Sequence, residues 1–200
     1  MAHIVLLGDS VLDNTAYVAV GEDVISHINR ELPKDWKVTL LARDGSTVRD
    51  VYRQLAQIPT DATHLILSVG GNDALLQSDI LIQPAKSFAE VLNKLASIGE
   101  NFELDYMSLL RSVLAKGLRT IVCTIYYPNF QDAQIQRISK TALTVFNDAI
   151  IRSAFDTFTN LIDLRLVCNE SSDYANEIEP STQGGKKIAN MILNVVSQHR

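Results

Sequence analysis

The sequence predicts an α/β protein, a parallel sheet covered by helices on both faces, folded as one domain over residues 1–200. Three observations carry that expectation. Short apolar runs alternate with segments of helical periodicity, as parallel strands require, because each crossover must return the chain to the same edge of the sheet. The first three apolar runs end in a glycine beside polar residues, at Gly8-Asp9-Ser10, Asp44-Gly45-Ser46 and Gly70-Gly71-Asn72-Asp73. The chain has 200 residues, 46% of them hydrophobic, enough for one sizeable core and about the length of a single α/β unit.

The elements follow in order. In Ile4 to Asn14, IVLLGDSVLDN, four apolar residues make a buried strand that stops abruptly and presents Ser10 at its carboxyl end. Ligands of open parallel sheets bind outside the carboxyl ends of the strands. Asp and Ser in such a place also cap helices or make turns, so the stretch alone leaves both readings open. Val24, Ile25, Ile28 and Leu32 keep one face of a first helix apolar up to Pro33. Trp36 to Ala42 is a second strand, after which Val48, Val51, Tyr52 and Leu55 have helical spacing and Thr47 with Asp50 resembles a capping box. Leu65 to Val69, apolar but for Ser68, is a third and central strand.

Leu75 to Pro84 lacks periodicity and is expected to lie over the active face. Two helices are expected next, one with Phe88, Val91, Leu92 and Leu95 before Gly99, the other with Phe102, Tyr106, Leu109, Leu110, Val113 and Leu114 before Gly117. Arg119 to Ile125 is a fourth strand, and Tyr126-Tyr127-Pro128-Asn129-Phe130 after it reads either as surface packing or as a substrate wall. A helix from Gln134 to Phe158, a short strand from Asn160 to Leu164 and a last helix from Gln183, burying Ile188, Met191, Ile192, Val195 and Val196, complete the chain.

Composition removes several function classes. The formal net charge is -5, and Lys and Arg are scattered without aromatic interleaving, so nucleic acid is not expected as a partner. No apolar run approaches the roughly 18 residues that span a bilayer, and the N-terminus lacks the features of a signal peptide, which reads as a cytoplasmic protein. Cys123 and Cys168 have no paired spacing, so they are expected to be reduced thiols, neither a zinc site nor a disulfide. No cofactor is expected.

Ser10, Gly45 and Asn72 each fall at the carboxyl end of a different strand. If the strand order is 2-1-3-4-5, the first and third strands meet at the topological switch point, the second flanks the first, and the three residues converge. Their chemistry is complementary: a serine nucleophile, a glycine N–H that no side chain crowds, and an amide that can donate to an oxyanion.

These motifs resemble the SGNH, or GDSL, hydrolase family from Gly8 to Ile188: GDS at Ser10, glycine after the second strand and GGND at Asn72, in type and order. The resemblance implies a three-layer α/β/α sandwich with a flavodoxin-like five-stranded sheet, and ester or thioester hydrolysis through an acyl-serine. It implies Ser10 as nucleophile and an oxyanion hole made by the Ser10 N–H, the Gly45 N–H and the Asn72 side chain. The fourth motif departs from the family's Asp-x-x-His-Pro-Ser. This chain reads Asn176-Glu177-Ile178-Glu179-Pro180-Ser181, so Glu179 stands in the place of the histidine and Asn176 in that of the aspartate.

No other histidine is placed to substitute. His3 and His64 open their strands, on the order of 15 to 20 Å from the catalytic edge at roughly 3.3 Å per residue. His199 lies about 20 Å down the last helix, and His27 sits in the first helix toward the opposite end of the sheet. Glu179 is therefore the candidate base, with Asp9, Asp73 and Asn176 in supporting places. A carboxylate is about two pKa units less basic than imidazole, a deficit that burial can offset. Two alternatives stand beside a serine hydrolase of small esters: a degenerate member that binds an acyl or carbohydrate ligand without turnover, and a metal-assisted hydrolase built on Asp9, Asp13, Asp73 and Glu179.

Overall fold

The computed structural model describes residues 2–198. Five strands, β1 (His3–Gly8), β2 (Lys37–Leu40), β3 (His64–Ser68), β4 (Arg119–Cys123) and β5 (Asn160–Ile162), pair in parallel in the order β2-β1-β3-β4-β5. The switch point expected between the first and third strands is therefore present, with Gly8 opposite Ser68 at the carboxyl edge.

Alternation along each strand divides the core in two. Ile4 and Leu6, with Ile66, Ile121 and Ile162, face a layer that includes α1 (Val24–Glu31) and α7 (Thr182–Gln198), through Val24, Ile28, Ile188, Ile192 and Val196. Val5 and Leu7, with Leu65, Leu67 and Val122, face α2 (Val48–Leu55), α4 (Phe88–Leu114) and α5 (Ala133–Asp156). Two short helices, α3 (Gly71–Leu75) and α6 (Leu164–Val167), follow β3 and β5. The Thr47–Asp50 capping box at the start of α2 is present in both directions.

The two helices expected between Phe88 and Leu114 are one, α4, of 27 residues. Gly99 does not end it, because the glycine lies against α5, where a Cβ would come within 3.2 Å of the Val145 Cβ. Its missing side chain serves helix packing rather than termination. The N-terminal part of α4 also departs from the expected apolar face: Phe88 and Leu92 are exposed, and burial begins at Phe102. In α7, Met191 is partly exposed rather than buried.

Candidate active site

The site is built at the carboxyl edge of β1 and β3 from the backbone outward. Gly8 has φ +133°, and a Cβ there would fall 1.7 Å from the Ser68 carbonyl oxygen, so only glycine fits between the strands. The Asp9 N–H bonds that same carbonyl at 3.1 Å, and the Leu12 and Asp13 N–H groups return to the Asp9 C=O, closing a tight turn that carries Ser10. Buried Gln54 of α2 holds the Gly8 peptide from both sides, accepting from its N–H and donating to its C=O, each at 2.8 Å. Asn147 of α5 does the same for Ile125 beyond β4, at 2.8 and 2.9 Å. Paired amide bonds of this kind satisfy backbone groups that have left the sheet ladder.

Glu179 arrives on irregular chain between α6 and α7. Asn176 accepts from the Ile178 and Glu179 N–H groups, and the Glu179 C=O accepts from the Ala175 N–H. The Tyr126 hydroxyl donates to the Ile178 C=O at 2.6 Å, and the Asn129 N–H to the Glu177 C=O at 2.7 Å. Fully buried Asn14, at the end of the Ser10 turn, donates from Nδ2 to the Pro180 C=O and accepts the Val24 N–H on Oδ1. Gly184 is as constrained as Gly8, since a Cβ there would lie 2.1 Å from the Asp173 carbonyl oxygen. Asp173 is fully buried and paired with Lys187 at 2.8 Å.

These supports bring Ser10 Oγ within 3.2 Å of Glu179 Oε1, to which it donates. The second oxygen, Oε2, is buried and has no hydrogen-bond partner. Burial pushes the Glu179 carboxyl up from 4.5 to about 7, the Ser10 hydroxyl opposing and the charge of Asp44 adding to the shift. Asp9, 2% exposed, is likewise raised to about 7, chiefly by burial, with the Val11 N–H opposing and the charges of Glu179 and Asp73 contributing.

Ser10, Asn72 and Glu179 border one cavity of about 380 Å³, together with Asp9. Its other walls come from Leu75 to Leu81, from Tyr126, Pro128 and Phe130, and from α4 and α5. The aromatic loop is thus a wall of the cavity, and the segment after Leu75 covers it. Asn72 donates at 3.0 Å to the Ser46 C=O. Gly45, at φ +77°, lies exposed in the turn before Ser46 and is not among the cavity's lining residues.

Other expected members have different partners. Asp73 accepts the Val48 N–H at the start of α2, and Asp13 accepts the Asp44 N–H, so the set Asp9, Asp13, Asp73 and Glu179 does not converge. Among the described residues no group of three or more His, Cys, Asp or Glu side chains is placed to hold a metal ion. Asn176 is exposed and turns the backbone before Glu179. His3 bonds Asp61 and Thr39 at the far end of β1, His27 is buried on α1 and His64 opens β3, while His199 lies outside the described residues. Sequence reasoning missed Gln54 and Asn14. The signal for Gln54 is a polar residue adjoining the apolar positions Val51 and Leu55, and for Asn14 a closing amide in the GDS stretch.

Residues 6–186 match the family model described as GDSL-like Lipase/Acylhydrolase. No curated protein sequence matches the chain. Similar solved structures include an extracellular lipase from Streptomyces rimosus (14% identity, TM-score 0.70, covering 98% of this chain and 99% of that one). A phospholipase A1 from Streptomyces albidoflavus NA297 is also similar (14%, 0.73, 97% and 98%). So is the esterase EstA from a Pseudoalteromonas species, in a structure inhibited by monoethylphosphonate (16%, 0.69, 99% and 98%). At these identities the likeness is one of fold. Among the described residues no helix is long and apolar enough to cross a membrane.

Proposed function

The chain belongs to the GDSL-like lipase/acylhydrolase family, and from that premise we propose that it is a serine-dependent hydrolase of carboxylic esters or thioesters, with Ser10 as nucleophile and Glu179 as general base. The observation that carries this reading is the Ser10 Oγ–Glu179 Oε1 contact of 3.2 Å at the polar end of the cavity. It is longer than an ideal O–H···O bond, as catalytic contacts often are before substrate tightens them. A carboxyl raised to about 7 meets the need for a base whose pKa lies near the working pH.

In the reaction, Ser10 Oγ attacks the ester carbonyl carbon while its proton passes to Glu179. The oxyanion of the tetrahedral intermediate is met by the Ser10 N–H and the Asn72 amide. An amide nitrogen carries two N–H groups, so Asn72 can keep its bond to Ser46 and still donate to substrate. Collapse releases the alcohol or thiol, protonated by Glu179, and leaves acyl-Ser10. Glu179 then takes a proton from water as its oxygen bonds the acyl carbon, and returns that proton to Ser10 Oγ as the acyl–Oγ bond breaks and the acid leaves. Asn176 supports the base through the backbone, and Asp9 and Asp73 brace the turns on either side. The free thiols Cys123 and Cys168 suit a reducing, cytoplasmic setting.

The test is covalent trapping. Incubation with an alkylphosphonate ester or a sulfonyl fluoride, followed by intact mass, should give one adduct on the parent protein and none on Ser10→Ala. Absence of an adduct on the parent favours ligand binding without turnover.

A further inference from the structure

The cavity extends well beyond the space an ester group needs, and its chemistry changes along its length. Asp9, Ser10, Asn72 and Glu179 stand at the sheet edge, and Gln77 and Ser78 add polar groups from the segment after Leu75. Away from them, one face of α5 forms a wall, with Ile135, Ser139, Ala142, Leu143 and Phe146 all lining the cavity. Their spacing keeps them on a single stripe of the helix. Phe146, 4% exposed, stacks edge-on against Phe102, which in turn touches the space over Gly70, two residues before Asn72. Ile135, 48% exposed, stands at the other end. Eleven residues separate the two, about 16 Å along a helix axis. The cavity is therefore a trough leading from the serine outward, and no Lys or Arg lines it.

We infer that this trough receives a straight aliphatic acyl chain of medium length, up to roughly ten carbons, which at about the volume of one water each (~30 Å³) fill most of the 380 Å³ and leave the rest for the ester group. The inference rests on the hydrolase reading, which places the acyl carbonyl at Ser10. The rest of the lining then excludes water from the chain, and each added methylene improves binding until the chain passes Ile135 into solvent. Ala142 and Ser139 are the specificity-determining positions, because their small side chains leave the middle of the trough open.

The experiment is a series of p-nitrophenyl esters from acetate to palmitate. For the parent protein kcat/KM should rise about fourfold per methylene, the effect of burying one CH₂, as far as octanoate, and then level off. Ala142→Phe should lower the octanoate-to-acetate ratio at least tenfold. Ser139→Leu, one turn nearer the open end, should lower the decanoate-to-acetate ratio more than the hexanoate-to-acetate ratio. A flat profile, an optimum at acetate, or ratios unmoved by both substitutions overturns the inference while leaving an ester hydrolase intact. Calorimetric titration of the parent with octanamide and acetamide needs no turnover. Binding of octanamide at least 100-fold tighter upholds the acyl trough even if every ester survives untouched, an outcome that would sink the hydrolase reading alone. Equal binding of the two amides overturns the trough.

Discussion

The two halves of the Ser10–Glu179 pair are held in opposite ways. Ser10 sits two residues past a fully buried strand, and its place follows from sheet register, the Gly8–Ser68 contact and a turn closed by its own backbone. Glu179 sits on irregular chain and is held by side chains reaching from distant elements: Asn14, Tyr126 and, one turn into α7, the Gly184–Asp173 packing. A strand end is positioned by cooperative pairing over several residues, whereas a loop is positioned by separate contacts that can be lost one at a time. The place of Ser10 is thus part of the fold, and that of Glu179 is an addition to it.

The largest effect should come from the base itself. Glu179→Gln keeps size and hydrogen bonding but removes the proton acceptor, and should lower kcat by about 10⁴-fold, the upper range for general base catalysis. In the parent, kcat/KM should fall tenfold per pH unit below about 7, where Glu179 gains its proton. The same substitution should stabilise the fold. A carboxyl whose pKa is raised from 4.5 in the unfolded chain to about 7 in the native one opposes folding only when ionised. Its cost is absent below about 4.5 and complete above about 7, so Glu179→Gln should gain up to about 3 kcal/mol at pH 8 and nothing at pH 4. Urea melts at the two pH values read this directly, and an undiminished rate in the variant removes Glu179 from the chemistry.

Next in size are the glycines that wedge each half. Gly8→Ala and Gly184→Ala both drive a Cβ into a carbonyl oxygen, at 1.7 and 2.1 Å, and each should destabilise by about 4 kcal/mol or more. Gly45→Ala meets nothing within 4 Å and should cost only about 1 kcal/mol for its positive φ. If Gly184→Ala proves as mild as Gly45→Ala, the loop carrying the base adapts more freely than its packing indicates.

Asn72→Ala should lower kcat by about 10²-fold with little change in stability, the loss associated with one oxyanion donor. A comparable fall in stability would instead mark the bond to Ser46 as its main role.

The smallest effect on the rate should come from Asn14→Ala, which removes both the acceptor for the Val24 N–H and the donor to Pro180. It should cost about 2 kcal/mol in stability, because both buried backbone groups lose their partner, and reduce kcat several-fold with KM unchanged. Equal kcat in Asn14→Ala and the parent would show that the turn bearing Glu179 does not need this tie.

Much of this arrangement is legible in the sequence because it depends on local pattern. Apolar runs of strand length, helical periodicity and glycine at strand ends determined the alternation of elements and the places of Ser10 and Asn72 after the first and third strands, and the resemblance of motifs singled out Glu179. Two kinds of feature escaped. Gly99 reads as a helix stop, yet helix α4 continues through it, because only the packing of α4 on α5 reveals why a side chain is missing there. The raised pKa of Glu179 beside Ser10, the tie from Asn14 to Pro180 and the clamp of Gln54 on Gly8 join residues 46 to 169 positions apart. The sequence names these groups but not their desolvation or their partners. Both arise only when the layers close over the sheet edge, since burial and long-range pairing belong to the packed chain and not to any stretch of it.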